Sequence, residues 1–301
     1  MKKIFLSDAG PKVSPAIYGF YRWDAQDLNV TKMESIVDLC LELGINTFDH
    51  ADIYGDYMSE QLFGEATVER SSLRERMQIV TKCGIKLVSK NRPENSIKHY
   101  DTSRAHILRS VENSLKMLRT DRVDLLLIHR PDPLMDADEV AGAFTGLKQS
   151  GKVLYFGVSN FMPWQFELLA SRLDFPLVTN QVELSIMNMG VLHDGTIDMC
   201  QRHRISPMAW SPFGGGRLFQ SDSERAARVR EALAAVGERL GGASIDQVAL
   251  AWILTHPAGI LPVLGTGKLD RIESASASEA LKLSREQWFT LWSASTGHEV
   301  P

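Results

Sequence analysis

A single (β/α)8 barrel, one domain over residues 1–301, is the fold class this sequence predicts. The first observation behind it is a steady alternation of short apolar runs with stretches of helical spacing. Parallel strands covered by helices on both faces read as such continuous runs. The second is that no Pro/Ser-rich linker, residue-level repeat or low-complexity segment marks an internal boundary. The third is that Asp49, Lys82 and His129 each follow an apolar run, at 46–48, 79–81 and 125–128. Side chains at the C-terminal ends of different barrel strands converge on one face, so these three and Tyr54 are predicted to share a pocket.

Taken in order, residues 31–43 set Met33, Ile36, Val37, Cys40 and Leu41 at helical spacing, opened by a Thr31/Glu34 capping box and stopped by Gly44. Helices are predicted near 103–118, 136–150, 163–172 and 195–203, interleaved with strands at 153–158, 177–181 and 206–210. A charged helical stretch at 222–240 interrupts the cadence. Ser244 and Gln247 then open another helix with a second capping box, and a strand at 260–263 brings the total near eight units. An extra helix near 285–295 and the tail 296–301 decorate the barrel.

Composition narrows the function. With 44% hydrophobic residues the chain can bury a large core, and a formal charge of -4 offers no broad basic surface to nucleic acid, so small-molecule partners are expected. Cys40, Cys83 and Cys200 are odd in number and form no CxxC pair, which points to a reducing compartment rather than a disulfide or zinc framework. The apolar stretch at 4–6 is too short for a signal peptide and no window approaches a membrane span. A cytoplasmic protein is expected, with no membrane partner, as a monomer or weak homo-oligomer. The histidines show no HExxH or similar ligand spacing, and no metal is expected.

The residue types of the predicted pocket suit carbonyl chemistry. Reducing a ketone or aldehyde needs a hydride on carbon and a proton on oxygen, and a free tyrosine of pKa ~10 is a poor acid near neutrality. An ammonium from Lys82 within hydrogen-bonding reach would lower the Tyr54 pKa, Asp49 would hold that lysine charged and oriented, and a neutral His129 would donate a ring N–H to the substrate oxygen. Read singly, each is ordinary: Asp49 a surface carboxylate or cap, Tyr54 a packed aromatic, Lys82 a solvated amine, His129 a satisfied, partly buried histidine. A lyase that uses Lys82 as a Schiff-base amine is the rival chemistry. Cys83 faces away from Lys82 along a strand and is expected to be a buried, inert thiol. Tyr21, Trp23, Tyr57, Phe161 and the tail from Thr296 are expected to wall an apolar substrate pocket.

The segment GINTFDHADIYGDYMSEQLFG (44–64) resembles the signature of the aldo-keto reductases, in which an aspartate precedes a tyrosine by five positions. IVTKCG around Lys82, LLLIHRPD around His129, GVSNF at 157–161, NQVELS at 180–185, AWSPFGGG at 209–216 and LGTGKLDRI at 264–272 resemble further motifs of that family in the same order. The likeness covers almost the whole chain and is strongest to a bacterial oxidoreductase branch of uncertain physiological substrate. It implies an NADPH-dependent oxidoreductase that reduces aldehydes or ketones to alcohols, with Asp49, Tyr54, Lys82 and His129 catalytic. It also implies that Ser159, Asn160 and Gln181 bond the nicotinamide carboxamide, that Trp210 stacks on the ring, and that Ser211, Pro212, Gly214 and Gly216 line the diphosphate. Gly265, Thr266, Gly267, Lys268 and Arg271 would hold the 2′-phosphate end, for which a guanidinium fork is suited.

Without the family, Asn160 suits a helix cap, Trp210 the core, the glycines a flexible loop, and Lys268 and Arg271 a solvated face. No GxGxxG follows a first strand, so the barrel mouth itself must carry the cofactor. Two positions depart from the commonest pattern. The glutamate after the tyrosine is Glu60, further downstream, as in longer-loop branches that include potassium-channel β subunits. Arg271 is followed by Ile272, Glu273, Ser274 and Ala275, where many relatives have a Glu-Asn pair that holds adenine. The first departure keeps a second reading open, a nicotinamide-binding regulatory or scaffold protein with little turnover.

Overall fold

The computed structural model describes residues 3–21 and 29–301. Eight parallel strands follow one another round a closed barrel in chain order. They are β1 (Ile17–Gly19), β2 (Thr47–Asp49), β3 (Gln78–Cys83), β4 (Val123–Ile128), β5 (Val153–Ser159), β6 (Asn180–Glu183), β7 (Met208–Trp210) and β8 (Leu261–Leu264). The ring closes where Val263 and Leu264 of β8 pair with Ile17 and Tyr18 of β1. Side chains alternate across the wall, as the period of two requires. In β4, Leu125 and Leu127 fill the interior while Leu126 and Ile128 pack outward on the helices.

The interior cluster holds Ile17, Val80, Leu125, Leu127, Val178, Met208, Leu261 and Val263, together with Leu6 and Val13. These last two come from an antiparallel hairpin of Ile4–Phe5 and Lys12–Val13. The hairpin seals the N-terminal end of the barrel, where Ser206 N–H donates to the Leu6 carbonyl (2.7 Å) just before β7. Asp49, Lys82 and His129 stand at the opposite end.

The surrounding helices include α1 (Val30–Glu42), α2 (Ser59–Thr67), α3 (Arg104–Leu118), α4 (Ala137–Gln149), α5 (Pro163–Ala170) and α6 (Thr196–Arg202). Then come α7 (Glu224–Arg239), α8 (Ile245–Leu254), α9 (Leu269–Ala277) and α10 (Arg285–Thr296), so the expected extra helices are present. The Ser244/Gln247 capping box forms as read from the sequence, and a matching Ser284/Gln287 box opens α10. Helix α10 is fastened through a reciprocal clasp. Trp252 and Trp288 stack at 4.8 Å, and each indole N–H donates to the other's backbone carbonyl.

Three local expectations are corrected. The Thr31/Glu34 box does not form, because Asn29 caps α1 one residue earlier by accepting from Lys32 N–H (2.8 Å). Gly44 does end that helix region, with φ of 82°. The strand expected at 177–181 is displaced to β6, since pairing with β7 begins only at Gln181. Strand β1 was not anticipated from the sequence and is fixed by its pairing with β2 and β8. Among the described residues no helix is long and apolar enough to cross a membrane.

Helices α2 and α3 touch at Gly64, where a Cβ would lie 2.1 Å from the Met117 carbonyl oxygen. Gly142 in α4 has open space in the same position. Gly64→Ala is therefore expected to lower unfolding free energy by about 3 kcal/mol through forced separation of the helices. Gly142→Ala should raise it by about 0.5–1 kcal/mol. Urea titration of both variants checks the opposite signs.

Candidate active site

Three consecutive strands deliver the expected residues to one end of the barrel. Asp49 is the last residue of β2, Lys82 stands near the end of β3, and His129 follows β4 directly. Gly19 at the end of β1 makes room for them, since a Cβ there would lie 2.8 Å from Val263 and 3.6 Å from the Asp49 carboxylate. Tyr54 is brought in by a tight turn in which Gly55, Asp56 and Tyr57 all have positive φ, at 56°, 55° and 69°. That backbone is unfavourable for Asp56 and Tyr57. It is held from the loop after β3, where Asn91 Nδ2 donates to the Asp56 carbonyl (2.8 Å) and Leu87 N–H to the Tyr57 hydroxyl (2.8 Å).

Lys82 is wholly buried and spends its three hydrogens on Asp49 Oδ2 (2.7 Å), the His50 carbonyl (2.7 Å) and the Tyr54 hydroxyl (3.0 Å). The other Asp49 oxygen accepts from Gln181 Nε2 (2.9 Å). Burial pulls Lys82 below its ordinary value while Asp49 holds it up. Burial and then the Asp49 charge push the Tyr54 phenol well above its ordinary value. The net direction for this phenol is thus upward, and loss of solvent is its largest cause. His129 is held well below the usual histidine range, by burial first and then by the Lys82 charge, so its ring is neutral as expected. Its ring lies edge-on to Tyr54, centroids 5.7 Å apart, and Nδ1 is buried without a hydrogen-bond partner.

Behind β3, on the face away from Lys82, stands a set of buried groups that the sequence did not single out as a cluster. Thr81 donates to Glu60 (2.5 Å), and burial pushes the Glu60 carboxyl up to about 7. Asp52 is held well above its ordinary value, by burial first and then by Glu60. Cys83 is buried and its thiol pushed well up, which fits the inert role expected of it. His50 lies stacked on Phe20 (4.4 Å), with neither ring nitrogen hydrogen-bonded. Burial and then Lys82 press its value down to about 3.

The expected cofactor residues line the ends of β5 to β8. Trp210 is half-buried and its indole N–H donates to Asn160 Oδ1 (2.9 Å), Asn160 Nδ2 donates to Ser159 Oγ (2.8 Å), and Ser159 Oγ donates to the Gln181 carbonyl (2.9 Å). Asn160 therefore does not cap α5, a position taken by Met162. Asn160 and Ser211 both have positive φ, 61° and 51°. Pro212 and Gly214 are buried, and a Cβ on Gly214 would lie 2.8 Å from Met187. Gly216 begins a short helix at positive φ. The Thr266 carbonyl accepts from Tyr18 (2.7 Å), while Gly265, Gly267, Lys268 and Arg271 are exposed.

Lys32 of α1, unnoticed in the sequence, has its Nζ 3.5 Å from where a Gly267 Cβ would stand and adds a cation beside this loop. Of the expected pocket walls, Tyr21 is exposed with its ring 5.3 Å from Tyr54, and Tyr57 is half-buried under Arg92. Phe161 is only 1% exposed and belongs to the core between barrel and helices, so it is no wall. Thr296 bonds its own helix and the His298 carbonyl, and Trp23 lies outside the described residues.

A family model described as "Aldo/keto reductase family" matches residues 16–295. Oxidoreductase YdhF of Escherichia coli is 50% identical over 100% of both chains. A 6-dehydroglucose reductase of Agrobacterium fabrum is 44% identical, again over 100% of both. Among solved structures, the thermostable aldo-keto reductase Tm1743, in complex with the inhibitor epalrestat, superposes with a TM-score of 0.82 at 27% identity, covering 98% of this chain and 100% of that one.

The buried His50 has a consequence for acid stability. The unfolded chain takes up a proton near pH 6.5 that the folded protein refuses until about 3. Stability linked to His50 is thus present above pH 6.5 and falls by about 1.4 kcal/mol per pH unit on acidification. Glu60 acts oppositely between its unfolded value near 4.5 and about 7, where the folded protein holds the extra proton. Denaturation of His50→Phe at pH 6, 5 and 4 should show a gain of stability per pH unit that is lower than wild type by about that amount, and of reversed sign where Glu60 is left unopposed.

Proposed function

The chain belongs to the aldo/keto reductase family, and from that premise we propose that it reduces an aldehyde or ketone on a small molecule to the alcohol with NADPH, using Tyr54 as proton donor. The observation that carries the reading is the Tyr54 hydroxyl, which accepts from buried Lys82 at 3.0 Å, on a ring that meets the His129 ring edge-on. A phenol oxygen that already accepts from an ammonium has its own hydrogen left for another acceptor. A carbonyl oxygen facing Tyr54 and a donor nitrogen of neutral His129 would take that hydrogen.

The raised phenol value keeps the proton on Tyr54 until a substrate oxygen gains negative charge. The phenolate then left behind sits against the Lys82 ammonium, whose charge Asp49 supports. Lys82 thus acts on the product of proton transfer more than on the resting phenol. Its burial and three hydrogen-bond partners argue against the Schiff-base lyase, which needs a free amine.

The residues fit a nicotinamide nucleotide. The half-buried Trp210 face is fixed through Asn160, the cramped Gly214 leaves its backbone approachable, and Lys268 and Arg271 are exposed cations beside Lys32. When bound, the reduced nicotinamide supplies the hydride to the carbonyl carbon. Ser159, Asn160 and the free Gln181 oxygen would orient its carboxamide, the backbone of Ser211, Pro212, Gly214 and Gly216 would follow the diphosphate, and Gly265, Thr266, Gly267, Lys268 and Arg271 would hold the 2′-phosphate. Relatives named as an oxidoreductase and as a 6-dehydroglucose reductase support carbonyl reduction as the reaction type. The same reading takes residues 1–301 as one catalytic domain, a monomer or weak homo-oligomer in the cytoplasm, a compartment that suits the three free, buried cysteines.

Absorbance at 340 nm with activated aldehydes tests the activity. Tyr54→Phe should cut turnover at least about a hundredfold while the NADPH dissociation constant, read by tryptophan fluorescence, stays nearly unchanged. Near wild-type turnover would remove Tyr54 as the acid. Replacing Lys268 and Arg271 together by alanine should weaken NADPH by about 2–4 kcal/mol and leave NADH nearly as it was, with the difference shrinking in high salt. Equal weakening of both nucleotides would withdraw the NADPH preference.

A further inference from the structure

Arg130 follows His129 at the end of β4 and is half-buried. Its guanidinium lies over the Trp210 ring, 5.4 Å from the centroid, and its charge is felt by both Tyr54 and His129. Among the described residues it forms no ion pair and no side-chain hydrogen bond. The other cations nearby differ from it. Arg92 lies over the Tyr57 ring and donates to the Asn91 carbonyl, and Lys98 is solvent-exposed.

A partly desolvated guanidinium without a counter-charge is costly, and a single contact with an aromatic face offsets only about 1 kcal/mol of that. The contact with Trp210 places the group over the ring, and with no protein acceptor bonded to it among the described residues its N–H groups remain open. Those edges match a carboxylate or phosphate in a two-pronged fork. The cation stands beside the two groups that would receive the carbonyl oxygen.

We infer that Arg130 selects the substrate: the carbonyl compound reduced here carries an anionic oxygen group, a carboxylate or a phosphate, held by the guanidinium while its carbonyl meets Tyr54 and His129. This deepens the carbonyl-reductase reading and rests on it. The anionic group contributes binding at a point remote from the reacting carbon, where it raises the specificity constant by positioning.

Two matched pairs test the inference with the cofactor-loaded enzyme. They are 4-carboxybenzaldehyde against its methyl ester, and glyceraldehyde 3-phosphate against glyceraldehyde. Wild type should favour the anionic member of at least one pair by tenfold or more in kcat/KM. The pair that responds identifies the carboxylate or the phosphate. Arg130→Gln should reduce that ratio at least tenfold, and Arg130→Lys should restore part of it. A wild-type preference for both neutral members, or a ratio unchanged in Arg130→Gln, overturns the inference, as does a matching loss of NADPH affinity, which would make Arg130 a cofactor residue. If no member of either pair is reduced, the carbonyl-reductase reading has failed by itself. The anion site is then judged by calorimetric titration of benzoate and of inorganic phosphate, where at least one should bind fivefold or more weaker to Arg130→Gln, and equal affinity for both overturns it.

Discussion

A lysine ammonium held entirely out of water is the constraint on which the rest of this site depends. Removing a charged pair from solvent costs several kcal/mol per ion, and only good geometry with every donor satisfied offsets it. Lys82 meets that condition because the end of β2 presents the Asp49 carboxylate and the His50 carbonyl together, with the Tyr54 hydroxyl close behind. The second Asp49 oxygen then ties in Gln181 from β6. Through the Gln181 backbone, Ser159 and Asn160, the connection runs on to the Trp210 indole at the end of β7. One buried cation thus sets the mutual placement of four other strand ends.

Backbone strain gathers at the same end. Asp56, Tyr57, Asn160 and Ser211 all adopt left-handed conformations, each at a cost of about 1–3 kcal/mol. They flank the polar groups, and the strain turns the chain sharply out of a strand or into a turn. Neighbouring contacts fix two of these turns. Asn91 and Leu87 hold the turn after Tyr54, and the Trp210 indole holds the Asn160 side chain. The sealed opposite end carries the apolar hairpin and supplies packing.

Most of this was legible in the sequence because barrel strands and amphipathic helices have distinct periods, and because Asp49, Lys82 and His129 end apolar runs. What escaped notice depends on tertiary contacts. Strand β1 is fixed by its pairing with β2 and β8, and the bounds of β6 by what β5 and β7 can pair with rather than by its own residues. The cap at Asn29 outcompeted Thr31, a choice of one residue that spacing alone does not make. Phe161 packs in the core directly after Asn160, whose φ is positive, and sequence position next to a site residue could not reveal that. Lys32 meets the loop after β8 only through the docking of α1. The net upward direction of the Tyr54 phenol comes first from depth of burial, and a list of charged neighbours does not report depth.

The N-terminal hairpin has a consequence for how the chain is made. Its anchor, the Leu6 carbonyl, has its partner at Ser206, and β1 has one of its two neighbours in β8. A ribosome releases roughly 5–20 residues per second, so the first strands emerge ~10 seconds or more before either partner does. Through that interval the nascent half-barrel has one unzipped flank and an open floor. Late arrivals from the C-terminal half therefore complete the container, and a chain stalled before Leu264 would expose a ready edge to chaperones or to another nascent chain.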